Sequence, residues 1–154
     1  MKILIVYGTS EGQTRKISRF MEEVLQGGDH KVVIADATDE PPSPAHFEVV
    51  LIGASVHMQK YQSSVTNYVM QHLDILNKKH SAFFSVSMAI ASNIEKEHEE
   101  IKKIALDFFA KTGWKPNEVR HFAGALKYTQ YDYFKKLIMR MIAKKRGRQH
   151  RYFP

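Results

Sequence analysis

The sequence predicts an α/β fold, a five-stranded parallel sheet doubly wound by helices on both faces. Three observations predict it. Short β-branched, apolar runs alternate with segments of helical apolar spacing through residues 1–126. The clearest runs are almost free of polar residues, as strands covered on both faces usually are. The first run passes directly into a hydroxyl-rich loop that opens a helix, and open parallel sheets bind their ligands beyond the carboxyl ends of the strands.

Lys2–Tyr7 is the first strand, and Gly8 lets the chain turn. Ile17, Phe20, Met21, Val24 and Leu25 form one face of a helix that stops at Gly27-Gly28. Lys31–Ala35 is a short second strand, and Asp39–Pro44, rich in proline and acid, is a surface connection. Asp36 reads as a turn residue, because no glycine fingerprint accompanies it. Glu48–Ala54 is a third strand, doubly buried, with Gly53 permitting a close approach near its end. Tyr61–Leu76 reads as one helix through Val65, Tyr68, Val69, Leu73 and Leu76, and Ser81–Ser87 as the fourth strand. Ser92 and Glu95 form a capping box for a long helix. That helix buries Ile94, Ile101, Ile104, Ala105, Phe108 and Phe109 and ends near Gly113. Glu118–Leu126 supplies the fifth strand. Such a βαβ rhythm implies right-handed crossovers and a parallel sheet.

The loop after the first strand carries the chemistry. Thr9, Ser10, Glu11, Gly12, Gln13 and Thr14 place hydroxyls, an amide and free backbone N–H groups at a helix start, the positive end of its dipole. Such a terminus suits a phosphate. No lysine or arginine lies inside the loop before Arg15, so the donors are neutral and the expected ligand is a phosphomonoester held without a metal. Walker A is excluded because Gly12 is followed by Gln13 and Thr14 rather than a lysine. The dinucleotide fingerprint needs three spaced glycines, which Gly8 and Gly12 do not supply. The plainer alternative is a helix cap by Thr9 or Ser10 with nothing bound.

Two further loops follow strand ends. Ser55, Val56, His57, Met58, Gln59 and Tyr61 belong to the second, where Met58 and Tyr61 offer flat or soft surfaces and His57 a polar edge. Packing of Met58 and Tyr61 on the following helix is an equal alternative, and both readings stay open at this point. Ser87, Met88, Ala89, Ile90, Ala91 and Ser92 form the third, small and apolar enough for its backbone to approach a ring. A planar cofactor with a phosphate tail satisfies all three loops, and riboflavin phosphate (FMN) is the expected one.

Composition narrows the class. The 154 residues suffice for one domain with a proper core. Cysteine is absent, which excludes disulfides, thiolate metal sites and iron–sulfur clusters and agrees with a reducing cytoplasm. Eight histidines lack HxH or HExxH spacing, so no metal site is expected. No run is long enough to span a bilayer, and the opening apolar run is too short for a secretory signal. Lys127–Pro154 holds nine Lys/Arg against the single acid Asp132, whereas residues 1–126 carry a net charge of −1. Residues 1–126 thus read as the ligand-binding domain, and 127–154 as a basic, aromatic helical segment and tail, part of that domain or facing a membrane.

These residues resemble the flavodoxin fold. Thr9–Thr14, Ile52–Ser55, Ala82–Val86 and Ala123–Tyr128, followed by Tyr131, Tyr133 and Phe134, resemble one subfamily. It is that of the flavodoxin-like, quinone-dependent protoporphyrinogen oxidases (dehydrogenases) of bacterial haem biosynthesis. The resemblance runs from Met1 to about Lys145, and Ala123–Met141 is its specific part. It implies an FMN whose phosphate lies on Thr9–Thr14 and whose ring lies between Ser55–Tyr61 and Ser87–Ser92. It implies removal of six electrons from protoporphyrinogen IX in two-electron steps, passed to a membrane quinone, menaquinone or ubiquinone. A flavin needs little acid–base help from side chains, in keeping with the absence of a nucleophile–base constellation; no catalytic side chain is assigned. Lys127, Tyr128, Tyr131 and Lys135 lie in the basic, aromatic segment that would receive a flat substrate with two propionates. The alternative from another class is a flavodoxin-type electron carrier without a substrate; a third is a degraded remnant.

Tyr131–Lys145 is also amphipathic, with Phe134, Leu137, Ile138, Met141 and Ile142 on one face and Lys135, Lys136, Arg140 and Lys144 toward the other. That pattern suits an anionic membrane surface, with the protein peripheral on the inner face of the cell membrane, or packing on the sheet. No nucleic-acid recognition motif accompanies the charge, so nucleic acid is not an expected partner. Relatives continue with a Gly-Gly, Thr-Asp-Thr type stretch and a last helix, where this chain has Arg146–Pro154. One encoding of those residues, shifted by one base, reads Gly-Gly-Asp-Asn-Thr-Asp-Thr-Ser. The expectation is a frameshifted tail and a lost final helix. Apolar surface beside Ile17, Phe20 and Val24 is then covered by Tyr131–Lys145 folding back, or by association into a homo-oligomer.

Overall fold

A computed structural model describes residues 1–10, 12–87, 94–123, 135–136, 139–140 and 143, with backbone alone at 94–98 and 123. Five parallel strands form one sheet: β1 (Lys2–Gly8), β2 (Lys31–Asp36), β3 (Val49–Ser55), β4 (His80–Ser87) and β5 (Glu118–Ala123). They stand in the order β2-β1-β3-β4-β5. Strand order reverses at β1, where Tyr7 pairs with Asp36 on one side and with Gly53 on the other. The carboxyl ends at Gly8, Ser55 and Ser87 share one edge of the sheet.

Helices cover both faces: α1 (Gln13–Gly27), α2 (Ser63–Gln71), α3 (Leu73–Lys78) and α4 (Ile94–Thr112). On one face Ile17, Met21 and Leu25 of α1 pack against Ile3, Ile5, Val49, Leu51 and Phe84. On the other, Val65, Val69, Leu76 and Phe108 pack against Leu4, Val6, Val50, Ile52 and Phe83. A cluster of rings anchors the second layer, with Phe83 and Phe108 stacked at 5.2 Å and Trp114 edge-on to Phe83 at 5.7 Å. Trp114 is fully buried, and its indole N–H donates to Ser81 Oγ at 3.1 Å.

Most expected elements stand within a residue or two of their predicted bounds. The helix expected over Tyr61–Leu76 is two. His72 leaves helical geometry (φ −115°, ψ 23°) between α2 and α3. The Tyr68 hydroxyl ties α2 to Pro42 O at 2.8 Å, while Leu76 turns into the core. Asp36 is the last residue of β2, and its Oδ1 accepts from Thr38 N–H and Thr38 Oγ1, the turn role expected of it. What approaches Gly53 closely is the ring of Phe84 from the neighbouring strand. The Ser92–Glu95 capping box and the strand residues after Ala123 lie outside the described residues.

Of the basic C-terminal segment, residues 135, 136, 139, 140 and 143 have helical backbone. Lys135 and Met139 line a cleft of about 410 Å³ together with Phe20, Glu23, Val24, Gly27 and Gly28. Lys135 and Met139 thus stand beside α1. That cleft runs along the C-terminal half of α1, roughly 10–20 Å along the helix from Thr14 at 1.5 Å per residue. Lys127, Tyr128 and Tyr131 lie outside the described residues.

Candidate functional site

The first loop leaves β1 at Gly8, which is glycine for a steric reason. A Cβ there would lie 2.5 Å from Val65 Cγ2 and 3.0 Å from Gln62 Oε1, both on the incoming end of α2. The α1 cap is Gly12, at φ 88°, with no side-chain cap. Thr9 Oγ1 turns inward to accept from Gly12 N–H at 2.7 Å. Neither Thr9 nor Ser10 caps α1. The first intrahelical bond runs from Lys16 N–H to Gly12 O. The N–H groups of Gln13, Thr14 and Arg15 precede it at the positive helix end, and no acid occupies the first turn.

Two observations fit this loop to an anion. Thr14 is fully buried, yet its Oγ1 has no hydrogen-bond partner among the described residues. A buried hydroxyl without a partner costs about 1–3 kcal/mol. Gly12, in the left-handed region, has nothing within 4 Å of where a Cβ would stand, so the space above the loop is open. Glu11 lies outside the described residues.

In the second loop, Val56 N–H donates to Val86 O and prolongs the pairing of β3 with β4. His57 and Lys60 then exchange backbone bonds of 2.8 and 3.1 Å across a two-residue reversal. Met58 (φ 50°) and Gln59 (φ 64°) are both left-handed, a conformation that favours Asn-Gly. Each such non-glycine residue is strained by about 1–2 kcal/mol. Met58, at the tip, is 83% exposed, an apolar side chain held up beside the strand ends. Met58→Asn with Gln59→Gly should therefore stabilise the protein by about 2 kcal/mol in urea unfolding; an unchanged midpoint would mean the turn carries no strain.

Tyr61 takes the packing alternative. Its ring meets Phe83 at 5.1 Å and Phe108 at 5.2 Å, and its hydroxyl donates to Ser85 Oγ at 3.0 Å. Burial pushes the phenol up to about 12, against a smaller lowering by the Ser85 bond. The unfolded chain loses this proton first, so the associated stability holds below about pH 10 and is lost as pH rises toward 12. Two pKa units correspond to about 3 kcal/mol. Tyr61→Phe should flatten the fall in urea-unfolding stability over that interval, leaving the part due to Tyr68, whose phenol burial also raises. An identical slope in both proteins would refute this.

The residue that sequence reasoning missed is Gln62. From the N-terminus of α2 its Oε1 accepts from Ser55 N–H at 3.1 Å, and its Nε2 donates to Ser55 Oγ (2.6 Å) and Ser10 Oγ (2.9 Å). Its signal was available: a glutamine where a helix start ordinarily has Ser, Thr, Asp or Asn. The structure thus brings the first loop and Ser55 together through one amide. Val56, His57, Met58 and Gln59 stand beside them, and Ser87 is buried at the end of β4. Met88, Ala89, Ile90, Ala91 and Ser92 lie outside the described residues. No cluster of three or more His, Cys, Asp or Glu able to hold a metal occurs among the described residues.

Comparisons with known proteins agree with this fold. A flavodoxin domain family model matches residues 4–152. Protoporphyrinogen IX dehydrogenase [quinone] of Escherichia coli (strain K12) is 31% identical over 148 residues, 96% of this chain and 81% of the relative. A protein of the same name from Leishmania major is 31% identical over 95% of this chain and 64% of its own length. Among solved structures, oxidised flavodoxin 1 from Bacillus cereus superposes with a TM-score of 0.69 at 11% identity, covering 93% of this chain and 98% of that one.

Proposed function

The chain belongs to the flavodoxin domain family, among the relatives of the quinone-type protoporphyrinogen IX dehydrogenases, and from that premise we propose that it is an FMN-dependent oxidoreductase that oxidises protoporphyrinogen IX to protoporphyrin IX and passes the electrons to a quinone. The observation that carries the cofactor is the buried hydroxyl of Thr14, without a partner among the described residues, beneath a loop of hydroxyl and amide donors at the strand-order reversal. Bound there, FMN supplies a two-electron acceptor that takes hydride, so the chain itself needs no nucleophile or strong base.

The residues' work is to hold and to orient. Ser10, Thr14 and the α1 N–H groups bind the phosphate. Gly12 gives it room, and Met58 offers an apolar side chain to the ring. Substrate oxidation removes two hydrogens per step, and quinone reduction to quinol takes up two electrons and two protons, which balances each turn. The proposed workplace is the inner surface of the cell membrane, approached from the cytoplasm. No described helix is long and apolar enough to cross a bilayer, and Lys135, Lys136 and Arg140 are exposed cations suited to anionic headgroups.

The test is anaerobic. Purified protein loaded with FMN, given protoporphyrinogen IX and a soluble menaquinone or ubiquinone analogue, should develop porphyrin fluorescence in proportion to the quinone supplied. An FMN-loaded protein that forms no porphyrin beyond a free-FMN control would refute the enzyme and leave an electron carrier.

A further inference from the structure

The side chain of Gln62 is not needed where it starts. Its backbone carbonyl opens α2 by accepting from Val65 N–H (3.1 Å) and Thr66 N–H (3.3 Å), and no side-chain cap is made. The amide instead runs sideways across the sheet edge, over Gly8, to Ser55 and to Ser10. Ser10 is 52 residues away in sequence.

The identity of the atoms at each end is fixed by chemistry. Ser55 N–H only donates, so the amide atom facing it is Oε1. The NH₂ group must then face the two serine hydroxyls, and each hydroxyl oxygen accepts one of its protons. A serine oxygen that accepts from Gln62 keeps its own proton free to donate elsewhere. For Ser10, in the phosphate loop, elsewhere is the open side of that loop. We infer that Gln62 is a positioning residue that orients the Ser10 hydroxyl proton toward the cofactor phosphate and ties the phosphate loop to Ser55. The inference rests on the FMN reading and deepens it: it assigns the phosphate preference partly to a side chain that does not touch the phosphate.

Riboflavin and FMN differ only in the phosphate, so the ratio of their dissociation constants isolates this effect from general destabilisation. Flavin fluorescence quenching measures both. Gln62→Met keeps the length and removes the donor, and should weaken FMN binding about tenfold while riboflavin binding stays within about twofold. Gln62→Glu still accepts from Ser55 N–H but accepts from Ser10 as well, turning its proton inward and adding a negative charge. Its FMN loss should reach about a hundredfold. If Gln62 acts through Ser10, adding Gln62→Met to Ser10→Ala should lower the ratio little further. Both variants keeping the wild-type ratio would overturn the inference while leaving FMN binding intact. A wild-type chain that binds FMN no better than riboflavin would overturn the phosphate reading and this inference together.

Discussion

Thr14→Val should raise the melting temperature of the flavin-free protein and weaken its FMN binding about tenfold to a hundredfold. The two effects have one cause. Valine fills the threonine site with a methyl group in place of a hydroxyl that is buried without a partner among the described residues. Removing an unsatisfied buried hydroxyl relieves about 1 kcal/mol or more, whereas a hydrogen bond to a charged phosphate contributes about 1.5–3 kcal/mol. Thermal melts with and without FMN, together with a flavin titration, read both quantities. A variant that melts lower without flavin and binds FMN unchanged would place the partner of Thr14 within the protein.

The largest structural effect belongs to Gly53→Ala. A Cβ at this position would stand 2.0 Å from Phe84 Cζ and 2.1 Å from Phe84 Cε2, well inside van der Waals contact. Phe84 is buried against the α1 layer, so its ring has no free direction in which to retreat. A cost of about 3 kcal/mol is expected, near the upper end for overpacking, or about 6–12 °C in melting temperature for a chain of this size. Phe84→Leu in the same protein should recover part of the loss. A Gly53→Ala protein melting within a degree of the original would mean that the ring moves freely.

The fold was legible because its strands announce themselves. Ile3–Val6 and Val49–Ile52 are continuous apolar runs, and the helices between them carry unmistakable spacing. The first loop was legible as the turn that opens α1, because glycine and hydroxyl residues gather at helix starts. Three things were not. The break at His72 involves neither glycine nor proline, and depends on Tyr68 reaching Pro42 across the fold. The inward turn of Tyr61 was decided by Phe83 and Phe108, which come from other elements. Gln62 stood out only as an unusual residue at a helix start, and its role was hidden because its partners are brought to it by the sheet register and by the absence of a side chain at Gly8. Local pattern identifies the residues that act alone, while those that act through a distant neighbour wait for the topology.

The proposed phosphate cradle, made of hydroxyls and peptide N–H groups, has a consequence for the medium in which it works. Fixed dipoles at short range are screened far less by dissolved ions than a lysine ammonium at the surface. Such a pocket keeps its hold on a phosphorylated guest as ionic strength rises, and discriminates by shape rather than by attraction for any passing anion. Any electrostatic grip of the basic C-terminal segment on a bilayer would, by contrast, loosen with salt. Raising the salt would then release the protein from the lipid while leaving its flavin in place.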